Sequence, residues 1–305
     1  MKIRRRRASD DIIDVRSQSP GTKRSGIPGG KLGAGGGIGG ILIVILLAVL
    51  GGGSLTGGGE GSGGSLGGLE QILAGLGSAP APAPDAGSPL PDGNLSDDEA
   101  FVSFVLDDVQ DFWEGLFADA GQAYARAQLV LFSGAVQSGC GAASAATGPF
   151  YCSLDQRVYL DLDFFDELHQ RFGAPGDFAQ AYVIAHEIAH HVQNLTGVSK
   201  VVIDQSRSDP SQRNDLSIKQ ELQADCLAGV WAYSTYNRNL LESGDIEEGL
   251  GAAAAVGDDR IQETVTGRVD PESWTHGSSQ QRVEWFQRGF ESGDSGQCDT
   301  FAELD

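Results

Sequence analysis

Ala185-His186-Glu187-Ile188-Ala189-His190-His191 is the stretch from which the rest of this chain is read. Residues four apart on an α-helix share a face, so His186 and His190 can turn two imidazoles toward one ion. Glu187 sits beside His186, where its carboxylate can reach a water on that ion. Histidine is scarce, five residues in 305, so chance assembly of this spacing is improbable. The helix is bounded: Pro175-Gly176 breaks what precedes it, Asp177 is expected as its N-cap, and Gly197 as its C′ residue. Phe178, Ala181, Tyr182, Ala185, Ile188, Ala189 and Val192 give it a broad apolar surface, so it is expected to be largely buried. His191 lies about 100° round the helix from His190 and is not expected to ligate the same ion.

Two histidines leave an ion short of ligands, and a catalytic zinc takes three protein ligands and keeps one open position. A later stretch supplies a candidate: Glu221-Leu222-Gln223-Ala224-Asp225. Glu221 and Asp225 are four apart and share a face. Glu221 is the natural third ligand. Asp225, one turn on, can accept a hydrogen bond from a ligating imidazole and so fix its tautomer. The apolar Leu222, Leu227, Val230 and Trp231 argue against a merely solvated helix face.

Outward from these helices, composition divides the chain. Net charge is −21, but residues 1–31 hold nine Lys or Arg against three Asp, a local +6 that leaves −27 for the rest. So acidic a remainder argues against nucleic acid as a partner. Residues 1–37 read as a basic disordered segment. Ile41 to Leu50 is unbroken apolar sequence, and residues 38–55 read as one transmembrane anchor, with a cleaved signal peptide as the rival. The basic head before the anchor places the N-terminus in the cytoplasm and the residues after the anchor outside. Residues 56–95 form a Gly/Pro-rich linker, and 96–305 the globular domain.

That domain opens on Ser96-Asp97-Asp98-Glu99, a capping box, with apolar residues at helical spacing after it. Leu129–Phe132 and Val158–Leu162 read as strands of a short antiparallel sheet. Residues 198–214 are polar and read as a loop or a lid on the metal helix. Helices are expected from Asp215 or Ser217, from Asp245, and from Ser278 or Ser279. The fold class is α+β: a mainly helical domain with a small antiparallel sheet, preceded by the disordered N-terminus and the anchor. The four cysteines suggest two disulfides outside the cytoplasm. Cys140–Cys152 would close a Gly-rich loop and Cys226–Cys298 would pin the tail. The rival role for Cys226 is as a metal ligand.

His-Glu-x-x-His with a later Glu-x-x-Ala-Asp resembles the gluzincin arrangement, as in the integral-membrane CAAX-protease and heat-shock metalloprotease group. Over residues 96–301 the chain more closely resembles the bacterial family called putative neutral zinc metallopeptidases. The stretches that carry this are Ser138-Gly139-Cys140-Gly141, Gly148-Pro149-Phe150-Tyr151-Cys152, Val158-Tyr159-Leu160-Asp161-Leu162, His186 to His191, Glu221 to Cys226, Gly257-Asp258-Asp259-Arg260 and Thr275-His276-Gly277-Ser278-Ser279. The resemblance implies a zincin fold, a Zn2+ cofactor, a basic N-terminus with one anchor, and peptide-bond hydrolysis with no set substrate. Thr275–Ser279 with Arg282 resembles a His…Arg segment of the CAAX-protease group, which makes His276, or Arg282, a candidate oxyanion donor. The alternative is that His276 merely lines the turn before the last helix. The expectation is a membrane-anchored zinc metallopeptidase, with Glu187 as general base, acting on protein or peptide substrates. An anchored binding or scaffold protein with little activity, or an amidase of cell-wall peptides, are the other readings.

Overall fold

The computed structural model describes residues 1–3, 7–18, 87–91 and 94–303. The expected anchor, at 38–55, lies outside these, as does the linker up to residue 86. Among the described residues no helix is long and apolar enough to cross a membrane.

The architecture is mainly helical with two small sheets. The strands are β1 (Ile12–Asp14), β2 (Ser88–Pro89), β3 (Gln128–Phe132), β4 (Ala135–Ser138), β5 (Gly141–Ser144), β6 (Phe150–Cys152) and β7 (Arg157–Asp161). The helices are α1 (Asp97–Asp119), α2 (Asp163–Gln170), α3 (Asp177–Leu195), α4 (Val198–Ser208), α5 (Arg213–Asn237), α6 (Asp245–Ala255), α7 (Asp258–Thr266), α8 (Ser279–Ser292) and the short α9 (Thr300–Glu303). The main sheet has the order β2-β1-β3-β7-β6, and β4 pairs with β5 in a separate hairpin.

The expected antiparallel pairing of the two apolar strands is corrected: β3 and β7 run parallel, with Leu129 opposite Val158 and Leu131 opposite Leu160. Parallel neighbours need a connection of a dozen residues or more, and the segment holding β4, β5 and β6 supplies it. Only β6, at the edge, is antiparallel to β7. Both faces of β3 are covered. Leu129 and Leu131 join the large helical core, while Val130 and Phe132 pack with Cys152 and Tyr159 on the other side. Burial on both faces explains why β3 is an unbroken apolar run.

Helix α1 begins as its capping box dictates: Ser96 Oγ accepts from the Glu99 amide at 3.2 Å, and Glu99 Oε2 accepts from the Ser96 amide at 2.7 Å. Its buried Val102, Val105, Leu106, Val109 and Trp113 form one stripe against the core. Each such apolar side chain, fully buried, is worth roughly 1.5–3 kcal/mol. Behind α3, Phe178 stacks on Trp231 of α5 with centroids 5.9 Å apart. Helices α5 and α8 cross at backbone contact. A Cβ on Gly229 would stand 2.1 Å from Phe286 O, and one on Gly289 would stand 1.9 Å from Cys226 O. No side chain fits there, so the two glycines set how close α8 comes to α5. Disulfides Cys140–Cys152 and Cys226–Cys298 are both formed.

Two more expectations are corrected. Residues 198–208, read as a loop or lid, form helix α4: Gly197 adopts φ 86 at the end of α3, and the chain restarts with Ser199 and Val202 turned inward. Residues 7–18, read as disordered, belong to the domain. β1 sits between β2 and β3, and Ile12 is 1 % exposed. Asp11 Oδ2 accepts from Arg126 Nε at 2.7 Å and Gln110 Nε2 at 3.0 Å, and Ser9 Oγ donates to Asp107 at 2.6 Å. Basic composition concealed a strand of three residues, too short to show alternation. A sheet shared by β1 and β3 also requires the N-terminal segment and the domain to lie on one side of any membrane. The expected single pass with a cytoplasmic head does not fit it.

Cysteines placed at the exposed Asp10 and Gln287 should, on intact cells, both react or both fail to react with an impermeant maleimide; labelling of one alone would contradict the sheet. Gly289→Ala should lower unfolding stability by about 1–3 kcal/mol or more, because the helices must part to admit the methyl. Denaturant titration reads this, and native stability would mean the crossing is loose.

Candidate metal centre

Helix α3 delivers His186 and His190 on one face, and α5 brings Glu221 opposite them. One ligand atom from each of the three lies within 4.8 Å of the others. His186 Nε2 is 3.1 Å from Glu221 Oε2, and His190 Nε2 is 3.4 Å from Glu221 Oε1. Two imidazole nitrogens and a carboxylate oxygen, with a fourth side open to a cleft, match what a catalytic zinc site takes from a protein. The donor set therefore fits the ion.

The ring nitrogens that turn away are engaged elsewhere. His186 Nδ1 donates to Asp225 Oδ1 at 2.9 Å. Asp225 is fully buried and also accepts from Tyr182 Oη at 2.5 Å and from Arg282 Nε and Nη2 at 2.8 and 3.0 Å. Burial by itself would depress the His186 pKa, but the Asp225 and Glu221 carboxylates raise it to about 9. An ion entering the site displaces that proton, so its affinity falls as pH falls. Burial pushes Asp225 and Glu221 up, yet the cations around them win. Arg282 and His186 hold Asp225 below its ordinary value, and the two histidines hold Glu221 well below.

The two candidate oxyanion donors both line the cleft but are held differently. Arg282 is 3 % exposed, and its guanidinium is spent on Asp225, Tyr182 and the Val256 carbonyl. His276 is half-buried in the cleft wall. Its Nδ1 lies 3.0 Å from Asp258 Oδ1. Asp258 Oδ2 accepts the backbone N–H groups of Thr275, His276 and Gly277. Burial opposes protonation of His276, but the Asp258 hydrogen bond and the Glu221 and Asp258 charges raise its pKa above the usual value. Asp258 escaped the sequence reading as a site residue; only the turn that brings α7 beside Thr275 reveals it.

The cleft has a volume of about 580 Å³ and is walled by Glu187, Phe150, Phe164, Phe172, Ile261 and Val265, among others. Glu187 is 8 % exposed, and burial raises its carboxyl above the ordinary range against the pull of His186 and His190. His191 points elsewhere: Nε2 donates to the Ala125 carbonyl at 2.6 Å, and Nδ1 accepts from Tyr151 Oη at 3.0 Å. It ties α3 to β6. His169 is exposed on α2. Cys226 is in a disulfide, which removes it as a ligand.

A His-Glu-x-x-His helix completed by a carboxylate from a later helix, over an open cleft, defines a zinc-peptidase type of centre. The chain belongs to the family described as "Putative neutral zinc metallopeptidase", whose model matches residues 1–301. It is similar to "Uncharacterized protein YpfJ" of Escherichia coli (strain K12), 44 % identical over 306 residues that cover 99 % of each chain. It is also similar to "Uncharacterized protein Rv2575" of Mycobacterium tuberculosis (strain ATCC 25618 / H37Rv), 48 % identical over 193 residues, 60 % of this chain and 64 % of that one. No solved structure gives a significant match.

Asp225→Asn should weaken zinc binding about 10- to 100-fold. It should also cost about 3–5 kcal/mol of stability, since the buried Arg282 would lose its nearer counter-charge and keep only Glu221, 3.9 Å away. Chelator competition and denaturant unfolding read the two effects separately. Native zinc affinity in a folded variant would make Asp225 a structural residue only.

Proposed function

We propose that this protein is a zinc-dependent metallopeptidase that hydrolyses peptide bonds, with His186, His190 and Glu221 holding the ion. The observation that carries this reading is the convergence of those three ligand atoms beside Glu187 on the floor of an open cleft. When bound, zinc lowers the pKa of a coordinated water toward neutrality and polarises a carbonyl.

The protein's own groups do the rest. Glu187 takes the proton from the attacking water and passes it to the leaving amine. Its burial suits this role, because a raised pKa lets the carboxyl hold the proton between the two transfers. His276, oriented through Nδ1 by Asp258, presents Nε2–H to the oxyanion that develops at the substrate carbonyl. Arg282 and Tyr182 lock Asp225, and Asp225 locks the tautomer of His186. The substrate we propose is a protein or peptide segment. The apolar wall of Phe150, Phe164, Phe172, Ile261 and Val265 favours this over a glycan-linked cell-wall peptide. A scaffold with little activity would have no use for a buried Glu187 in the cleft.

The two disulfides support a working place in an oxidising compartment outside the cytoplasm.

Glu187→Gln should fold and hold stoichiometric zinc, since Glu187 is not needed as a ligand. Cleavage of an unfolded protein such as casein should fall about 10²–10⁴-fold in kcat with KM little changed. Wild-type turnover in the zinc-loaded variant would defeat the mechanism. No turnover in either protein on any substrate tried would favour the binding protein.

A further inference from the structure

The second ligand histidine is held differently from the first. His190 Nδ1 lies 2.8 Å from Gln193 Oε1, one turn further along α3. Gln193 is fully buried, and a buried amide is costly unless both its ends are paired, about 1–3 kcal/mol for each polar group left unmet. A glutamine amide can be placed either way round, and its direction decides whether the histidine donates or accepts. Two backbone carbonyls settle the direction, because a carbonyl oxygen can only accept. Gln193 Nε2 is 2.7 Å from Gln220 O, so the nitrogen end faces α5 and the oxygen end must face His190. The same Nε2 is 3.0 Å from Gln223 Oε1. Gln223 is itself fixed, with its Nε2 3.1 Å from Cys298 O. Cys298 is tied to Cys226 by a disulfide, and Thr300 Oγ1 donates to Lys219 O at 2.6 Å beside it.

We infer that Gln193 is the positioning residue for His190, and that the chain of donation His190 to Gln193 to Gln223 to the Cys298 carbonyl keeps it so. The proton of the neutral His190 ring is held on Nδ1, and the Nε2 lone pair is presented to the ion. The disulfide-bonded tail thus has a part in the metal site though it contributes no ligand. The two histidines are also matched to different partners. His186 leans on a carboxylate, whose negative charge raises ligand basicity, while His190 leans on a neutral amide. With the Glu221, Asp225 and Glu187 carboxylates already close by, a neutral partner avoids adding a further negative charge and would leave the ion more electrophilic. This inference rests on the reading of His190 as a ligand.

The test uses the full chain and zinc itself. Gln193→Leu should weaken zinc binding by about 10- to 100-fold in a chelator competition. In the metal-free protein, ¹⁵N NMR should show the neutral His190 ring shifting away from the Nδ1-protonated tautomer. Gln110→Leu, a fully buried glutamine at a distance from the centre that bonds to Asp11 and Ala127, should lower stability but leave zinc affinity alone. Should Gln193→Leu fail to fold, Gln223→Leu should show a smaller loss of affinity in the same direction. A folded Gln193→Leu, or failing that Gln223→Leu, with native zinc affinity and an unchanged tautomer would overturn the inference. His190→Ala is run alongside: if it keeps native affinity, the ligand reading has failed, whereas loss in His190→Ala but not in Gln193→Leu removes the positioning role alone.

Discussion

The arrangement depends most on one buried carboxylate. Asp225 takes hydrogen bonds from Tyr182, His186 and Arg282, which stand on α3 and α8, while it stands on α5. A bare carboxylate at that depth would cost several kcal/mol. Bonded to a guanidinium, a phenol and an imidazole, it becomes the point at which three helices must agree. Registers that break any of these contacts leave a charge buried and unpaired. The ligand geometry is therefore held by the same interaction that specifies how the helices pack.

The backbone makes that agreement possible. Gly229 and Gly289 let α5 and α8 touch, which brings Arg282 within reach of Asp225. The loop after α7 does the same for His276, because Asp258 gathers three successive amides and the imidazole at once. In both places a cleft-lining side chain is held by a partner distant in sequence. These neighbours cost the chain little in length, but they make the site sensitive to substitutions that touch neither ion nor cleft.

Misreadings of the sequence share a cause. The three residues of β1 carry too little pattern to outweigh the arginines around them, and only pairing with β3 gives them a structure. Helix α4 is polar enough to pass for a loop, since only Ser199 and Val202 are buried. The direction of β7 relative to β3 cannot be read from either strand, since an apolar run looks the same in both directions. Each of these features is decided by contact with a remote segment rather than by local preference.

Local rules settled a good deal without help. The capping box of α1, the end of α3 at Gly197, the i,i+4 pairing of His186 with His190, and that of Glu221 with Asp225 are consequences of helical period and cap chemistry, whereas α3 starts from Gly176 with no side-chain cap, Asp177 being its first residue. The cysteine pairing expected from the even count and the short Gly-rich loop is the one formed, though the sequence left Cys226 open as a metal ligand. Tertiary structure alone decided that Arg282 is consumed by Asp225, that Asp258 orients His276, and that Gln193 and Gln223 stand behind His190. The physical reason is range. A helix repeats every 3.6 residues and so displays its own faces in its sequence. A hydrogen bond to a buried side chain is set by whichever element the fold brings within about 3 Å, and no periodicity marks that in advance.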